Sequence, residues 1–277
     1  MKVIKLLLGG YIWFCALSIT VMIVAFLFFL IKNSIYPLLN IPISNILSEL
    51  FPAIIGSIAV TLSSVAIASP VGIMTGIFIN EYTNGRTRNR LVFIFKVMGG
   101  IPSIVIGIFG FIIILVVNRA IGYNLRPCLF VSSLSLALLI LPYIVHSTVI
   151  AFRSISLKEK VIGLSLGVKK HQNIFYILFP KSLPALFSGI ILAVGRAAVD
   201  TAVIMLTGVA AMAGMPSSLL KPYEALPFYI YLRSSEYRNI NELSMVYIAA
   251  VIIIIICIGL LYVSNYIHKR ILIRIKR

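Results

Sequence analysis

The sequence predicts an all-α integral membrane protein with six transmembrane helices. The mean hydropathy is +1.10, and 61% of the residues are hydrophobic while only 11% are charged. So few charged residues cannot cover the surface of a soluble protein. A helix needs about 20 apolar residues to cross a bilayer, and six segments meet this requirement. They lie at about residues 10–32, 53–79, 91–117, 128–151, 182–208 and 244–267.

The basic residues predict the orientation of these spans. A formal charge of +17 would suit a nucleic-acid-binding protein, but lysines and arginines occur in short clusters between apolar runs. Such clusters are typical of the positive-inside rule, under which cytoplasmic loops hold the excess of Lys and Arg. Most of them flank one side of the predicted spans. We therefore predict that both termini are cytoplasmic and that the chain contacts membrane lipid and no nucleic acid.

The first span follows Lys2 and Lys5, as the apolar part of a signal peptide would. The apolar stretch is longer than a signal peptide uses, and no small-x-small cleavage site follows it, so we expect a retained span. We divide the chain into residues 1–52 (first span and outer loop), 53–267 (core) and 268–277. The last segment is a basic cytoplasmic tail near anionic lipid.

The second, third and fourth spans contain small and hydroxyl-bearing residues. At helical spacing these let helices approach closely and hydrogen-bond across the contact. In the third span, Pro102 lacks a backbone donor and predicts a kink beside Ser103. Such a kink is tolerated in the membrane where protein or a wet cavity covers the freed carbonyls. Ser103 is thus either part of a solute pathway or next to a purely structural bend.

The segment 153–181 separates the fourth and fifth spans. Apolar residues alternate with lysines here, and the pattern predicts two short amphipathic helices broken near Gly167. Such a segment either lies on the lipid surface or presents a helix to a groove on a soluble partner. The periodicity does not separate these two interpretations.

The fifth span has two charges, Arg196 and Asp200. As one helix, residues 182–208 would extend roughly 40 Å, with Arg196 near the midpoint and Asp200 on the same face. An intramembrane arginine is costly and marks a functional site by default. Arg before Asp is the less favourable order for a self-neutralising helical pair. We therefore predict a water-accessible path in which Arg196 binds an oxyanion and Asp200 orients it, with hydroxyl donors from Thr201 and Thr207.

The remaining features are an outer loop and three cysteines. Residues 210–243 predict an ordered, partly amphipathic segment at the outer interface. Its tyrosines fit an aromatic belt; they are Tyr223, Tyr229, Tyr231 and Tyr237. The cysteines have no Cys-x-x-Cys spacing, so neither a disulfide framework nor a metal site is predicted. We also find no constellation of catalytic residues.

Several motifs resemble those of ABC importer permeases. Gly167 followed by Ile177-Leu-Phe-Pro180 resembles the "EAA" loop of that family. Four further blocks are similar to signatures of the phosphate-transport permeases PstA and PstC. They are Asn80-Glu81-Tyr82, residues 100–110, Leu141-Pro142 and Gly195-Arg-Ala-Ala-Val-Asp-Thr201. Residues 225–231 resemble PstA more, and residues 202–208 resemble PstC more.

This resemblance implies a type I ABC importer permease for inorganic phosphate that works by alternating access. The implied partners are a second permease, two ATP-binding cassette subunits and an external phosphate-binding protein. ATP and Mg²⁺ would be bound by the ATPase, because this chain lacks a Gly-x-x-x-x-Gly-Lys-Ser/Thr motif. We expect no cofactor in this chain. The segment 153–181 would be the ATPase-coupling loop, with Lys158, Leu164, Gly167, Lys169 and Pro180 as candidate residues.

The chain also departs from the family pattern. Asp200 stands where the family has Glu, Val199 where it has Gly, and Val161 where the coupling loop has its Glu. Sulfate, molybdate and tungstate remain alternative solutes, because a guanidinium suits any tetrahedral oxyanion. An ion-coupled secondary transporter is an alternative of another class, although no inverted repeat supports it.

Overall fold

The computed structural model describes residues 2–122, 124–237 and 239–275, with some side chains near the ends of these ranges left out. The described backbone is nearly all helical, and one isolated bridge joins Val209 to Tyr223. The helices are α1 (Lys2–Asn40), α2 (Ile43–Ile77), α3 (Gly85–Gly99), α4 (Ser103–Ile121), α5 (Leu129–Arg153), α6 (Leu157–Ser165), α7 (Lys170–Asn173), α8 (Phe179–Val199), α9 (Ala202–Thr207), α10 (Leu226–Glu236) and α11 (Ile240–Ile275). Within the described residues, six helical segments are long and apolar enough to cross a membrane, so the predicted fold class is confirmed.

The first two spans are longer than predicted. Helix α1 continues to Asn40 and α2 begins at Ile43, so only Ile41 and Pro42 separate them. The loop predicted between the first two spans, at residues 33–52, is therefore helical for most of its length. Pro42 precedes the first residue of α2, where its missing N–H breaks no helical hydrogen bond.

The third predicted span, residues 91–117, is two helices. Helix α3 ends at Gly99 and α4 begins at Ser103, and only Ser103–Ala120 has the length and hydropathy of a span. Pro102 has an extended backbone (φ −57°, ψ 135°) and lies at the N-cap of α4. The expectation of one kinked helix was wrong, because here proline begins a new helix.

Helix α5 lies at the centre of the bundle and packs against α2 and α8. A β-carbon on Gly76 of α2 would overlap Thr148 of α5, and one on Gly189 of α8 would overlap Ser147 of α5. Both contacts bring helix backbones close together, as small residues permit in membranes. Ser63 and Ser133 also hydrogen-bond between α2 and α5 at 2.6 Å. The small and hydroxyl residues of α2 and α5 thus act in packing.

The segment after α9 folds back onto α2. Tyr223 is fully buried, and its ring and the Glu224 carbonyl fill the space beside Gly56. The Leu226 N–H donates to Ser57 Oγ at 2.8 Å, which holds the start of α10. The segment is ordered, as expected, but the aromatic belt does not include Tyr223. Tyr231 and Tyr237 are exposed.

Candidate functional site

The charged pair of the fifth span lies where a helix ends. Helix α8 stops at Val199, so Arg196 is in its last turn. Asp200 follows the helix with an extended backbone (φ −76°, ψ 116°). The predictions that Arg196 lies midway along a helix over residues 182–208, and that Asp200 shares its helical face, were therefore wrong.

The Asp200 side chain explains the break. Its Oδ1 accepts a hydrogen bond from the Val203 N–H at 3.0 Å, in the first turn of α9. Short carboxylate side chains are among the best groups for satisfying free N–H donors at a helix start. A negative charge there is also favoured by the helix dipole. Asp200 thus starts α9 instead of extending α8.

The pair is kept despite the break. Asp200 Oδ2 lies 3.5 Å from Arg196 Nη2, longer than the 2.7–2.9 Å typical of a charge-assisted hydrogen bond. The Asp200 side chain is 3% exposed and that of Arg196 is 39% exposed. Arg196 Nε is buried and has no hydrogen-bond partner among the described residues. The guanidinium is therefore only loosely engaged by its neighbour and retains donors for an anion.

The hydroxyl residues predicted beside this pair have different surroundings. Thr201 is partly buried next to Asp200, and Ser103 is partly buried at the start of α4. Within the described part of the chain, Ser103 makes no hydrogen bond to Arg196 or Asp200. Thr207 is fully buried and its hydroxyl donates to the Val203 carbonyl at 2.7 Å. The prediction that Thr207 offers a donor to a solute was therefore wrong.

Helices α4 and α9 meet at Gly107. A β-carbon at this position would lie 3.0 Å from the Ala202 carbonyl oxygen and 3.2 Å from Val203 Cα. Ser103 is one helical turn before Gly107 on α4. The fold therefore brings the helix that begins at Ser103 against the helix that begins after Asp200, although no polar contact joins the two predicted residues.

A cleft of about 530 Å³ lies between α3, α5 and α8, and sequence analysis did not predict it. Lys96, His146 and Gly189 are among the residues that line it. Gly189, Leu192 and Arg196 follow an i, i+3, i+7 spacing and so share one face of α8. Arg196 is thus about one turn beyond the lining residue Leu192, on the same side of the helix.

The second predicted site is the segment 153–181, and it contains the two short helices expected. Helices α6 and α7 are separated by a turn in which Gly167 has φ +80°. Of the five candidate residues, four are exposed and Pro180 is partly buried; the exposed ones are Lys158, Leu164, Gly167 and Lys169. Pro180 follows a π-helical turn (Ile174–Leu178) that joins α7 to α8. The segment thus continues into the helix that contains Arg196.

One face of α6 is apolar and exposed. Leu157, Val161, Ile162 and Leu166 line a shallow groove together with Lys158 and Ser165. Their side chains are between 51% and 80% exposed. Val161, the position where the resemblance expects Glu, lies on this outward face. Leu164 does not line the groove.

The opposite face of α6 contacts the rest of the chain. Lys160 Nζ lies 2.6 Å from Oε1 of Glu81, in the π-helical turn Phe78–Tyr82 at the end of α2. Gly163 is buried, and a β-carbon there would overlap Asn173. Sequence analysis missed Glu81 and Lys160 as a pair. The available signal was that Glu81 is one of only seven acidic residues, in a chain with 24 basic ones.

The first turn of α6 has a capping box. Ser156 Oγ accepts from the Glu159 N–H, and the Glu159 carboxylate accepts from the Ser156 N–H. Lys181 Nζ also lies 2.8 Å from Glu159 Oε1. The hydrogen bond from Lys181, followed by those from Ser156, lowers the pKa of Glu159 below its ordinary value of 4.5.

Comparisons with known proteins agree with this architecture. The family model described as "Binding-protein-dependent transport system inner membrane component" matches residues 68–273. The phosphate transport system permease protein PstA of Mycobacterium leprae is 31% identical over 159 residues, which is 57% of this chain and 51% of that protein. The PstA homolog of Mycoplasma pneumoniae is 26% identical over 220 residues, 77% of this chain and 33% of that protein. The match thus spans about a third to a half of these relatives' lengths.

Solved structures show the same fold. The inward-facing MetNI methionine ABC transporter has a chain that aligns with a TM-score of 0.62 at 17% identity. The alignment covers 80% of this chain and 96% of that one. An amino acid ABC transporter crystallised with histidines aligns with a TM-score of 0.51 at 16% identity. At these identities the likeness concerns the fold alone.

Proposed function

We propose a function from one premise: the chain belongs to the family of inner membrane components of binding-protein-dependent transport systems. The six apolar helices among its described residues make it a multi-pass membrane protein. Such a component works with an ATPase and a substrate-binding protein. Within this class, we propose that the chain is the permease subunit of an ATP-driven importer of inorganic phosphate. Two relatives whose names include PstA support the choice of phosphate as the solute.

The observation that supports this function most directly is the loosely paired Arg196. Its side chain is 39% exposed, and the Asp200 carboxylate oxygen that faces it is 3.5 Å away. A guanidinium donates several hydrogen bonds in a planar arrangement that matches two oxygens of a phosphate. We propose that Asp200 orients this group while Thr201 and Ser103 line the same path. Phosphate would approach Arg196 through the cleft between α3, α5 and α8 in the inward-open state.

The outward face of α6 is the proposed contact with the ATPase. An exposed apolar face on a short helix suits a groove on a soluble partner. The full complex would contain a second permease, two ATP-binding cassette subunits and an external phosphate-binding protein. Under this proposal α6 and both termini are cytoplasmic. ATP-driven motion at α6 would pass through α7, Pro180 and Pro184 into α8, which contains Arg196.

Hydrolysis is proposed to occur in the partner. ATP and Mg²⁺ would bind the ATPase subunits, and this chain would hold neither. The purified chain should therefore release no phosphate from ATP above background. The complex with its ATPase subunits should hydrolyse ATP in a manner stimulated by the loaded binding protein.

Uptake of ³²P-labelled phosphate tests the proposal in cells that depend on this chain for phosphate. Arg196→Ala should lower the uptake rate by about tenfold or more, because a hydrogen bond to a charged group contributes about 1.5–3 kcal/mol. Arg196→Lys keeps the charge without the planar donors, so its uptake rate should lie between those of wild type and Arg196→Ala. Arg90→Ala, at an exposed arginine on α3, is the matched control. Normal uptake by Arg196→Ala would reject the assignment of Arg196.

The same assay distinguishes the alternatives. Excess unlabelled sulfate, molybdate or tungstate should leave phosphate uptake unchanged, and inhibition by one of them would identify a different oxyanion. Uptake should stop when ATP is depleted and continue when ion gradients are collapsed. The reverse pattern would indicate an ion-coupled secondary transporter, a class that the family match disfavours.

A further inference from the structure

A polar cluster, with two buried and two partly buried members, lies between α6 and the end of α2. We call Asn80, Glu81, Lys160 and Asn173 the Glu81 cluster. Lys160 Nζ and Asn80 Nδ2 both lie 2.6 Å from Glu81 Oε1. Asn173 Nδ2 donates to the Lys160 carbonyl at 2.9 Å. The cluster therefore joins the end of α2 to α6, and α6 to α7.

The two charges in the cluster are largely removed from water. The Glu81 side chain is 12% exposed and that of Lys160 is 19% exposed. The exposed pair between Glu159 and Lys181, in the same segment, has 41% and 44% exposure. Removing one partner of a buried pair leaves an uncompensated charge, whereas an exposed pair contributes little. Replacing either Glu81 or Lys160 would therefore leave the charge of the other without its partner.

The π-helical turn that contains Glu81 is itself held in place. Arg88 Nη2 donates to the Asn80 carbonyl at 2.7 Å and to the Thr83 carbonyl at 3.0 Å. The Lys170 ammonium of α7 lies 4.5 Å from the centre of the Tyr82 ring, a cation–π distance. Both α6 and α7 therefore contact the same turn at the end of α2.

The chain connections on either side of α6 do little to fix its position. It has nine residues, and non-helical segments connect it to α5 and to α7. A helix of this length is not stable without tertiary contacts. The turn after it contains Gly167 in a left-handed conformation with open space around it. Without the contact to Glu81, α6 would stay joined to α7 and α8 through Asn173 and Lys181 but would lose its ion pair to the end of α2.

We propose that Glu81 is a positioning residue that fixes α6 to α2. A displacement applied to α6 would then move α2 through Glu81 and Lys160, as well as α8 through α7. Both α2 and α8 pack closely on α5, at Gly76 and Gly189. The inference rests on the proposed function, in which an ATPase displaces α6.

The first test measures coupling in the complete transporter. The chain is purified with its partner subunits, reconstituted into liposomes, and assayed for ATP hydrolysis and phosphate uptake. The variants are Glu81→Gln, Lys160→Gln and the exchange Glu81→Lys with Lys160→Glu. Arg90→Gln, which removes an exposed charge on α3, is the control. The two single variants should keep their ATPase subunits while phosphate transported per ATP falls about tenfold. The exchange should recover most of this loss.

Three results would overturn the proposal. One is an unchanged ratio of phosphate to ATP in Glu81→Gln. Another is a loss confined to the amount of complex, with a normal ratio in the complex that assembles. The third is an equal loss in the single variants and in the exchange.

The second test does not depend on the solute. Hydrogen exchange of the α6 backbone amides is measured for the full chain in lipid nanodiscs. Exchange should be about tenfold faster in Glu81→Gln and unchanged in Arg90→Gln. Equal exchange in all three proteins would overturn the proposal. If the wild-type complex transports no phosphate, the proposed solute fails while this measurement still decides whether Glu81 holds α6.

Discussion

Three substitutions at Asp200 separate the two contacts of its carboxylate. Oδ1 accepts the Val203 N–H at the start of α9, and Oδ2 faces Arg196. Asp200→Asn keeps an acceptor for the N–H and removes the charge. Asp200→Glu keeps the charge, as in the family pattern, but its longer side chain is a poorer cap. Asp200→Ala removes both contacts.

The structure gives the expected energies. Loss of the cap should cost about 1 kcal/mol of unfolding free energy. The pair with Arg196 lies between an exposed pair and a buried one, because Asp200 is buried while Arg196 is 39% exposed and the contact is 3.5 Å long. We assign it about 1 kcal/mol. Asp200→Ala should therefore lose about 2 kcal/mol, and Asp200→Asn and Asp200→Glu about 1 kcal/mol each, for different reasons.

Two measurements are needed because stability and transport respond differently. Thermal unfolding in detergent should rank Asp200→Ala below the other two variants. Phosphate uptake per folded complex should fall about tenfold in Asp200→Asn, since Arg196 loses its orienting charge, and should stay near wild type in Asp200→Glu. If Asp200→Asn is as unstable as Asp200→Ala, the Val203 cap is not what the side chain supplies. If Asp200→Asn transports normally, the pair with Arg196 has no role in transport.

Two further predictions concern the segment 153–181. Gly167→Ala should destabilise the turn between α6 and α7 by about 1–2 kcal/mol, because φ is +80° there. Gly167→Asn should cost less stability, and Gly85→Ala, in a helix with open space, is the neutral control. Limited proteolysis of this segment measures the effect. Equal cleavage of Gly167→Ala and Gly85→Ala would contradict the prediction. The lowered pKa of Glu159 means that its ionised form stabilises the capping box at neutral pH and that this contribution is lost as the pH falls through the lowered pKa. Cleavage near α6 by an acid-active protease should increase over that range in wild type and show no such increase in Glu159→Gln, and identical pH profiles would contradict the assignment.

The membrane-spanning architecture could be predicted because it depends on composition over long segments. Apolar runs of about 20 residues have few alternatives to a transmembrane helix. The ends of the helices could not be predicted as well, because single residues determine them. Pro102 begins α4 through its missing N–H, and Asp200 begins α9 through its side chain. One proline or one aspartate changes the mean hydropathy of a 20-residue stretch only a little, so the apolar pattern continued across both breaks.

The contacts of segment 153–181 show a second limit of prediction from sequence, which concerns contacts between distant residues. Gly167 marked the turn between two short helices because a left-handed residue has a local sequence signal. The pairing of Glu81 with Lys160 joins residues 79 positions apart, and no local pattern specifies it. The burial of Tyr223 likewise depends on the absence of a side chain at Gly56. To predict such contacts between distant segments, one must know how α2 packs against its neighbours.

Helix α8 connects the two proposed sites, and its two ends differ in a way that matters for transport. At its beginning it continues from α7 through a π-helical turn without a break in the helix. At its end the backbone breaks at Asp200, and α9 then packs on α4 at Gly107. On the proposed mechanism, movement of α8 reaches α4 only through the Asp200 connection or through side-chain contacts. The start of α8 is rigidly joined to α7, whereas its end is followed by a capped break. This arrangement would let α8 and Arg196 shift relative to α4. Alternating access at Arg196 requires such a relative movement.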